Sequence, residues 1–272
     1  MFVVFLGTGN ALPSVDRANT ALVLVAAPGA RATLIDCGGD PYRNMLRVGL
    51  HAESISDIII THAHIDHIGG LPSLLESMRI AGRRSPLRIH AIEQPFQVAQ
   101  HLLHAFAFEL TLERWPFRVE LHELQPDRTE QIGDFTVTPI ATEHSIPSIG
   151  MRMVASAAPN GPIFAYTCDT RTAPMLPDIA RDATFFVAEA TYARGHEEAA
   201  RHVGHMTAYQ AAEIATTGHA HALGLVHLSG SNAQAGSVQR EANAAFRHDI
   251  IVPRDLDIYR VDRGVRRIAR LP

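Results

Sequence analysis

The segment Thr61-His62-Ala63-His64-Ile65-Asp66-His67-Ile68-Gly69-Gly70 constrains this chain more than any other. Four metal-competent side chains fall within six residues, directly after DIIIT (57–61), a β-branched run that reads as a buried strand. Alternate residues at a strand end share a face, so His62 and His64 can reach one centre together. The chain must then turn, which brings Asp66 and His67 towards a second, adjacent centre. Gly69 and Gly70 permit a tight backbone into the next helix. Imidazole with carboxylate suits zinc, and also manganese or iron.

The rest of the chain reads as strands punctuated by glycines, then strands and helices in alternation. FVVFL (2–6), TALVLVA (20–26), ATLID (32–36) and LRIHAI (87–92) are strand-like runs. So are FRVELHEL (117–124), DFTVTPIAT (134–142), TFFVA (184–188), LGLVHL (223–228) and two closing strands near IIV and DLDIYRV. IGMRMV and PIFAYT predict a hairpin about the turn PNGP at 159–162. Helices are expected over 41–50, with Asp40 as N-cap and Pro41 at the first position, and over 71–81, 94–108, 207–217 and 234–246. No linker or fixed-period repeat interrupts the pattern, so one domain over 1–272 is expected, with sheet packed on sheet and helices outside.

Composition narrows the function. Hydrophobic residues make up 46% of 272, enough for a large core. No apolar run approaches the roughly 18 residues that span a bilayer. The opening MFVVFLGTGN has neither a basic leader nor an apolar segment long enough for a signal peptide. A cytoplasmic protein with no membrane partner is expected. All 24 basic residues are arginine, which removes every mechanism that needs a catalytic lysine. The formal charge of −4 gives no general pull towards nucleic acid. The two cysteines, Cys37 and Cys168, read as small buried residues and not as a disulfide framework. Histidine is the anomaly, at 16 residues gathered in motif-like settings.

The main motif resembles the signature of the metallo-β-lactamase superfamily, and the resemblance extends over nearly the whole chain. FLGTGNALP, LIDCGG, THAHIDHIGGLPSLL, YTCDT, VAEATY, GHMTAYQAAEIA and LVHLS, in that order, are similar to the ribonuclease Z branch. The resemblance implies an α/β fold, a four-layer αββα sandwich with a two-metal site at one edge. It implies that His62, His64, His144 and a bridging Asp169 hold one divalent ion, and that Asp66, His67, His227 and Asp169 hold the other. Zinc is the expected ion, with manganese or iron as alternatives, and a hydroxide between the ions is the expected nucleophile. Asp36 resembles the aspartate that braces this site from behind, although an ordinary strand-end aspartate would look the same. Glu189 and His205 resemble a pair that gives a proton to a leaving oxygen or stabilises phosphoryl charge, and they stand with Asp66 as the candidate catalytic residues.

The resemblance favours a phosphodiesterase acting on a small or accessible ester. Two departures argue against transfer RNA. One hairpin fills the stretch from His144 to Asp169 where a long RNA-gripping arm is expected, and Ser229-Gly230-Ser231-Asn232 replaces the Arg-Tyr that commonly follows the last ligand. A homodimer could still assemble a basic groove from Arg260, Arg263, Arg266, Arg267 and Arg270, which otherwise read as a solvated face. The alternatives are hydrolysis of a lactone, β-lactam or sulfate ester on the same metals, a ribonuclease Z-type 3′ endonuclease, and a ligand-binding member with little turnover. His196 and His202 read as surface residues, and Trp115 as a core aromatic or a cover for the site.

Overall fold

Strands that are apolar at every position must bury both faces. The computed structural model, which describes residues 1–106 and 116–272, shows what covers each face. One sheet has eight strands, in the order β15 (Val265–Ile268), β14 (Ile258–Val261), β1 (Phe2–Gly7), β2 (Ala21–Val25), β3 (Ala32–Ile35), β4 (Ile55–Ile60), β5 (Leu87–Ala91) and β6 (Val119–Glu123). The other has seven, in the order β13 (Asp249–Ile251), β12 (Ala222–Val226), β11 (Phe185–Glu189), β10 (Ile163–Tyr166), β9 (Ser148–Ala155), β8 (Phe135–Thr142) and β7 (Glu130–Ile132). Val3 and Phe5 of β1, Ile59 of β4, and Phe164 and Tyr166 of β10 pack between the sheets.

The alternate residues face helices. Phe2, Val4, Leu6, Ile58 and Ile60 pack with Met45 of α1 (Pro41–Arg47), with Leu71, Leu74 and Met78 of α3 (Leu71–Ile80), and with Leu103 of α4 (Glu93–Ala105). α2 (Ile65–Ile68) is a single turn that carries Asp66 and His67 of the ligand motif and leads into α3. On the far side Ala165, Phe186 and Ala188 meet α5 (Leu176–Ala180), α7 (Ala208–Thr217) and α8 (Ala235–Asn243). α6 (Glu197–Val203) lies in the connection before α7. The result is the expected four-layer αββα sandwich.

Local sequence accounts for most boundaries. The Asp40 side chain accepts from the Arg43 N–H, and Pro41 opens α1. Thr207 and Gln210 form a capping box at α7. β9 and β10 pair antiparallel, joined by 156–162 alone. Several short elements escape the pattern, α5 among them. β7 has only three residues, α6 is mostly exposed, and β15 carries the exposed Arg266 and Arg267 in succession, which hides its alternation. The C-terminal arginines are exposed as expected, but they flank an edge hairpin of β14 and β15. His196 caps α6 and His202 lies on it, both exposed. The reading of Trp115 falls outside the described residues, as does the end of the helix expected to reach 108.

Strand direction places the site. β3 to β6 run parallel, and so do β10 to β13. β8 and β9, and β9 and β10, are antiparallel, so β8 runs with β10. The C-terminal ends of β3, β4, β8, β10, β11 and β12 therefore open towards one rim, where parallel strands commonly present ligand-binding residues. The rim is tied across the sheets by the Ile149 N–H to the Thr61 carbonyl and by the Cys168 thiol to the Thr61 hydroxyl, at 2.8 Å.

One charge lies inside β4. Asp57 is fully buried and accepts from Arg88 at 2.7 and 2.8 Å and from His90 at 2.8 Å. Burial alone would raise its pKa, but these bonds outweigh it and hold the carboxyl well below the usual range. Asp57→Ala should lower the unfolding free energy by about 2–4 kcal/mol in urea titrations at pH 7. That is below the full value for a broken buried pair because the Arg88 side chain is 42% exposed. The stabilisation belongs to the ionised form, so the difference from the parent should be full above about pH 4 and fade as the pH falls further.

Candidate metal centre

Each strand ending at the rim delivers one or more polar side chains. β3 is followed by Asp36, β4 by Thr61 and the motif from His62 to His67, β8 by His144, and β10 by Cys168 and Asp169. β11 ends on Glu189, β12 is followed by His227, and His205 precedes α7. Asp36, Cys168 and His227 have φ of +61°, +54° and +57°, a left-handed conformation that side chains normally avoid. At these exits the strain turns a side chain back over the strand end.

Two packed groups result. The donor atoms of His62, His64 and His144 lie within 4.8 Å of one another, and so do those of Asp66, His67, Asp169 and His227. His64 Nδ1 is 3.1 Å from His62 Nε2 and 3.0 Å from His144 Nε2. Asp169 Oδ2 stands between the groups, 3.8 Å from His62 Nε2, 3.4 Å from His67 Nε2 and 3.2 Å from His227 Nε2. Asp66 Oδ2 is 3.4 Å from both His67 Nε2 and His227 Nε2. A tetrahedral ion with ligand bonds near 2.0–2.1 Å separates its ligand atoms by roughly 3.3 Å. Most of these spacings lie close to that value.

The hydrogen bonds behind the cluster aim its nitrogens. His67 Nδ1–H donates to Asp36 at 2.7 Å, and His144 Nδ1–H donates to the Gly204 carbonyl at 2.7 Å. In both rings Nε2 is turned to the cluster. His67 Nε2 and Asp169 Oδ1 are buried without a hydrogen-bond partner among the described residues. Orphaned polar atoms aimed at one point are the mark of a ligand to be bound there. The donor set therefore fits divalent cations.

Electrostatics point the same way. Burial and the neighbouring histidines lower the pKa of His62, and burial chiefly lowers those of His64 and His144, so these rings are neutral donors. Burial would raise Asp66 and Asp169, but the surrounding histidines hold both far below the usual carboxylate range. His67 is pulled upward by Asp169 and Asp36 against its burial. Cys168 also lies near His62 and His67, but burial pushes its thiol up to about 12. It remains an S–H donor to Thr61 and not a thiolate ligand.

Glu189 and His205 form the expected pair. Glu189 is fully buried and Oε1 is 2.8 Å from His205 Nδ1. Burial works against the imidazolium, but Glu189, Asp169 and Asp66 outweigh it and raise the pKa of His205 to about 9. The donor atoms of His205, His144 and Asp169 lie within 4.8 Å of one another. Asp36 accepts from Thr61 N, Thr61 Oγ1 and His67, so it braces the ligand loop as the resemblance implies. Both cysteines are buried and free.

Sequence reasoning passed over Thr61 and Thr191. Thr61 Oγ1 touches Asp36 and His62, and Thr191 Oγ1 touches Glu189 and His227. Their signal lay in the quoted motifs, as a hydroxyl next to a histidine or two positions past a glutamate.

Residues 1–207 match the family described as anti-Pycsar protein Apyc1. The chain belongs to that family. The matched residues include every rim residue named above except His227. Ribonuclease Z of Halorubrum lacusprofundi is 28% identical over 307 positions, which cover 95% of this chain and 96% of that one. The metallo-β-lactamase fold protein YhfI of Bacillus subtilis superposes with a TM-score of 0.80 at 21% identity, covering 94% of this chain and 98% of YhfI. Human tRNase Z, short form, superposes with a TM-score of 0.76 at 24% identity, covering 96% and 99%. The chain is a metal-dependent hydrolase of the metallo-β-lactamase superfamily, similar to ribonuclease Z. The relatives lend no support to the expectation against transfer RNA.

Gly38, Gly69 and Gly70 serve space and not conformation. Gly69 and Gly70 cap α2 and α3 with ordinary negative φ. A Cβ on Gly70 would meet the Cys37 and Gly39 carbonyls, and one on Gly38 would overlap the backbone of Asp66. The two ligand loops thus pack backbone on backbone, joined by the Cys37 N–H to the His67 carbonyl at 2.7 Å. Gly38→Ala should displace the Asp66 loop and cost about 2 kcal/mol or more of stability. Thermal melting and the zinc content after loading should both fall.

Proposed function

We propose that this chain is a two-metal phosphodiesterase acting on a small or accessible phosphodiester, with residues 1–272 working as one domain in the cytoplasm. His62, His64, His144 and Asp169 hold one ion. Asp66, His67, His227 and Asp169 hold the other, and zinc is the ion this nitrogen and carboxylate set suits best. Two such ions supply an activated water and neutralise charge on phosphoryl oxygens. The remaining chemistry belongs to the chain's own groups. Glu189 fixes His205 through Nδ1 and leaves its other nitrogen for the substrate. The Glu189 carboxylate favours the protonated form of His205, which is placed to give that proton to the leaving oxygen. This pair beside the cluster carries the reading, because lactone, β-lactam or sulfate-ester hydrolysis on the same metals does not require it.

Three observations support a small substrate. Only 156–162 join β9 and β10, where an RNA-gripping arm would be inserted. The match to the Halorubrum ribonuclease Z runs over 307 positions against 272 in this chain, so that relative has segments without a counterpart here. Arg260 and Arg266 pair with Asp262, and Arg267 pairs with Asp257, which offsets part of the C-terminal basic run. Transfer RNA is the second reading, favoured by the relatives that are ribonucleases Z, one of them a human tRNase Z. In that reading a dimer would have to supply the RNA-binding surface.

Asp169→Ala should lose metal from both positions, and His227→Ala mainly from one. Elemental analysis that found two tightly held ions in Asp169→Ala would remove the bridging role. On metal-loaded protein at one stated salt concentration, kcat/KM for a chromogenic phosphodiester should far exceed that for precursor transfer RNA with a 3′ trailer. His205→Ala should lower the phosphodiesterase kcat by about 10²–10⁴-fold. Accurate, efficient 3′ processing would establish the second reading, and turnover of lactones that survives His205→Ala would establish the other chemistry.

A further inference from the structure

The cluster is backed by two copies of one arrangement, one on each sheet. In the first sheet Asp36 accepts from His67 Nδ1 at 2.7 Å and from Thr61 Oγ1 at 2.8 Å. Thr61 Oγ1 is also 3.1 Å from His62 Nδ1. In the second sheet Glu189 accepts from His205 Nδ1 at 2.8 Å and from Thr191 Oγ1 at 2.7 Å. Thr191 Oγ1 is also 2.8 Å from His227 Nδ1. Each carboxylate thus holds one histidine directly and a second through a threonine hydroxyl. Each carboxylate is also pinned by backbone N–H groups, Asp36 by Thr61 and Glu189 by Thr170 and Thr191.

We propose that Thr61 and Thr191 are positioning residues that set the tautomers of His62 and His227, and that Glu189, through Thr191, serves the second metal as well as His205. The inference rests on the two-metal reading above. A hydroxyl has one proton and two lone pairs. The carboxylate oxygens can only accept in these contacts, as can the His227 carbonyl 3.1 Å from Thr191 Oγ1, so the threonine proton is spent on an acceptor. The contact with the histidine must then be an Nδ1–H donating to the threonine oxygen. Thr61 fills its second lone pair with the Cys168 thiol at 2.8 Å, so its hydroxyl is fully used. A neutral imidazole that carries its proton on Nδ1 presents a bare lone pair at Nε2. His62 Nε2 and His227 Nε2 are the atoms that face Asp169, at 3.8 and 3.2 Å. Without the threonine oxygen, the proton can move to Nε2 and block the metal.

The two relays are assigned to different ions. Thr61 serves His62, in the group with His64 and His144, and Thr191 serves His227, in the group with Asp66 and His67. Glu189 is therefore not separable from metal binding by its own substitution, whereas Thr191→Val removes the His227 relay and keeps the Glu189–His205 bond.

The experiment measures zinc affinities of the full chain by chelator competition, with elemental analysis, for the parent, Thr191→Val, Thr191→Ser, Thr61→Val and Thr61→Ser. Imidazole nitrogen NMR of the metal-free parent reads the tautomers before any ion imposes them. The parent should bind two ions. Thr191→Val should lose about 10–100-fold in affinity at one position only, Thr61→Val should lose a similar factor at the other, and both serine variants should restore parental binding. In the metal-free parent His62 and His227 should already carry their proton on Nδ1. Two ions bound with parental affinity by Thr191→Val, or equal loss at both positions, overturns the inference and leaves the two-metal reading standing. A parent that cannot take up two ions overturns both. Should a valine variant fail to fold, the NMR result decides, and a proton on Nε2 of His227 in the parent refutes the relay.

Discussion

Two ionised carboxylates and five imidazoles meet at one rim with little room for water. Asp66 and Asp169 are nearly buried, and His62, His67 and His227 are as inaccessible as core leucines. In a low-dielectric setting, bare lone pairs 3.0–3.4 Å apart repel unless something positive lies between them. The rest of the rim is arranged around that constraint. The left-handed turns at Asp36, Cys168 and His227 bring side chains back over the strand ends. The close passage of Gly38 against Asp66 lets two loops share the space of one.

The fold makes such crowding tolerable by rigidity. Strands such as β1, β4, β10 and β11 are buried on both faces, between a sheet and a helical layer. Loops that leave such strands inherit fixed positions, so donor atoms from four strand ends can be held within a few ångström. The thiol–hydroxyl bond of Cys168 with Thr61 and the bond from Ile149 to Thr61 lock the two sheets where the ligands emerge. Asp57 and its partners Arg88 and His90 form a separate buried charge cluster towards the start of β4 and take no part in the rim.

Division of labour among the histidines follows from what lies behind each ring. His67 has a carboxylate, His144 a carbonyl, and His62 and His227 a threonine. His205 has the same kind of support as His67, namely a buried carboxylate at Nδ1. It differs in being partly open to solvent, which suits a group that meets substrate.

Much of this was open to reading from the chain alone. Unbroken apolar runs such as FVVFL and DIIIT already require cover on two faces, and H-x-H-x-D-H after such a run marks the rim, because strand periodicity and metal chemistry are local properties. Asp40, Pro41 and Thr207 announce helix starts for the same reason. His144, Asp169 and His227 were visible only through resemblance, since a single polar residue after a strand has no local signature. The edge strand Val265–Ile268 was hidden by its arginines, whose partners Asp257 and Asp262 become neighbours only in the hairpin. Thr61 and Thr191 stand inside the quoted motifs, but neither approach showed what they do. A hydroxyl's role depends on which carboxylate and which ring nitrogen stand within 3 Å or so, and for Thr61 that carboxylate is 25 positions away. The sequence determined the strands, the helices and the identity of the donor atoms. Tertiary structure alone decided which nitrogen of each ring faces inward, because that depends on a hydrogen bond formed only after two sheets have packed.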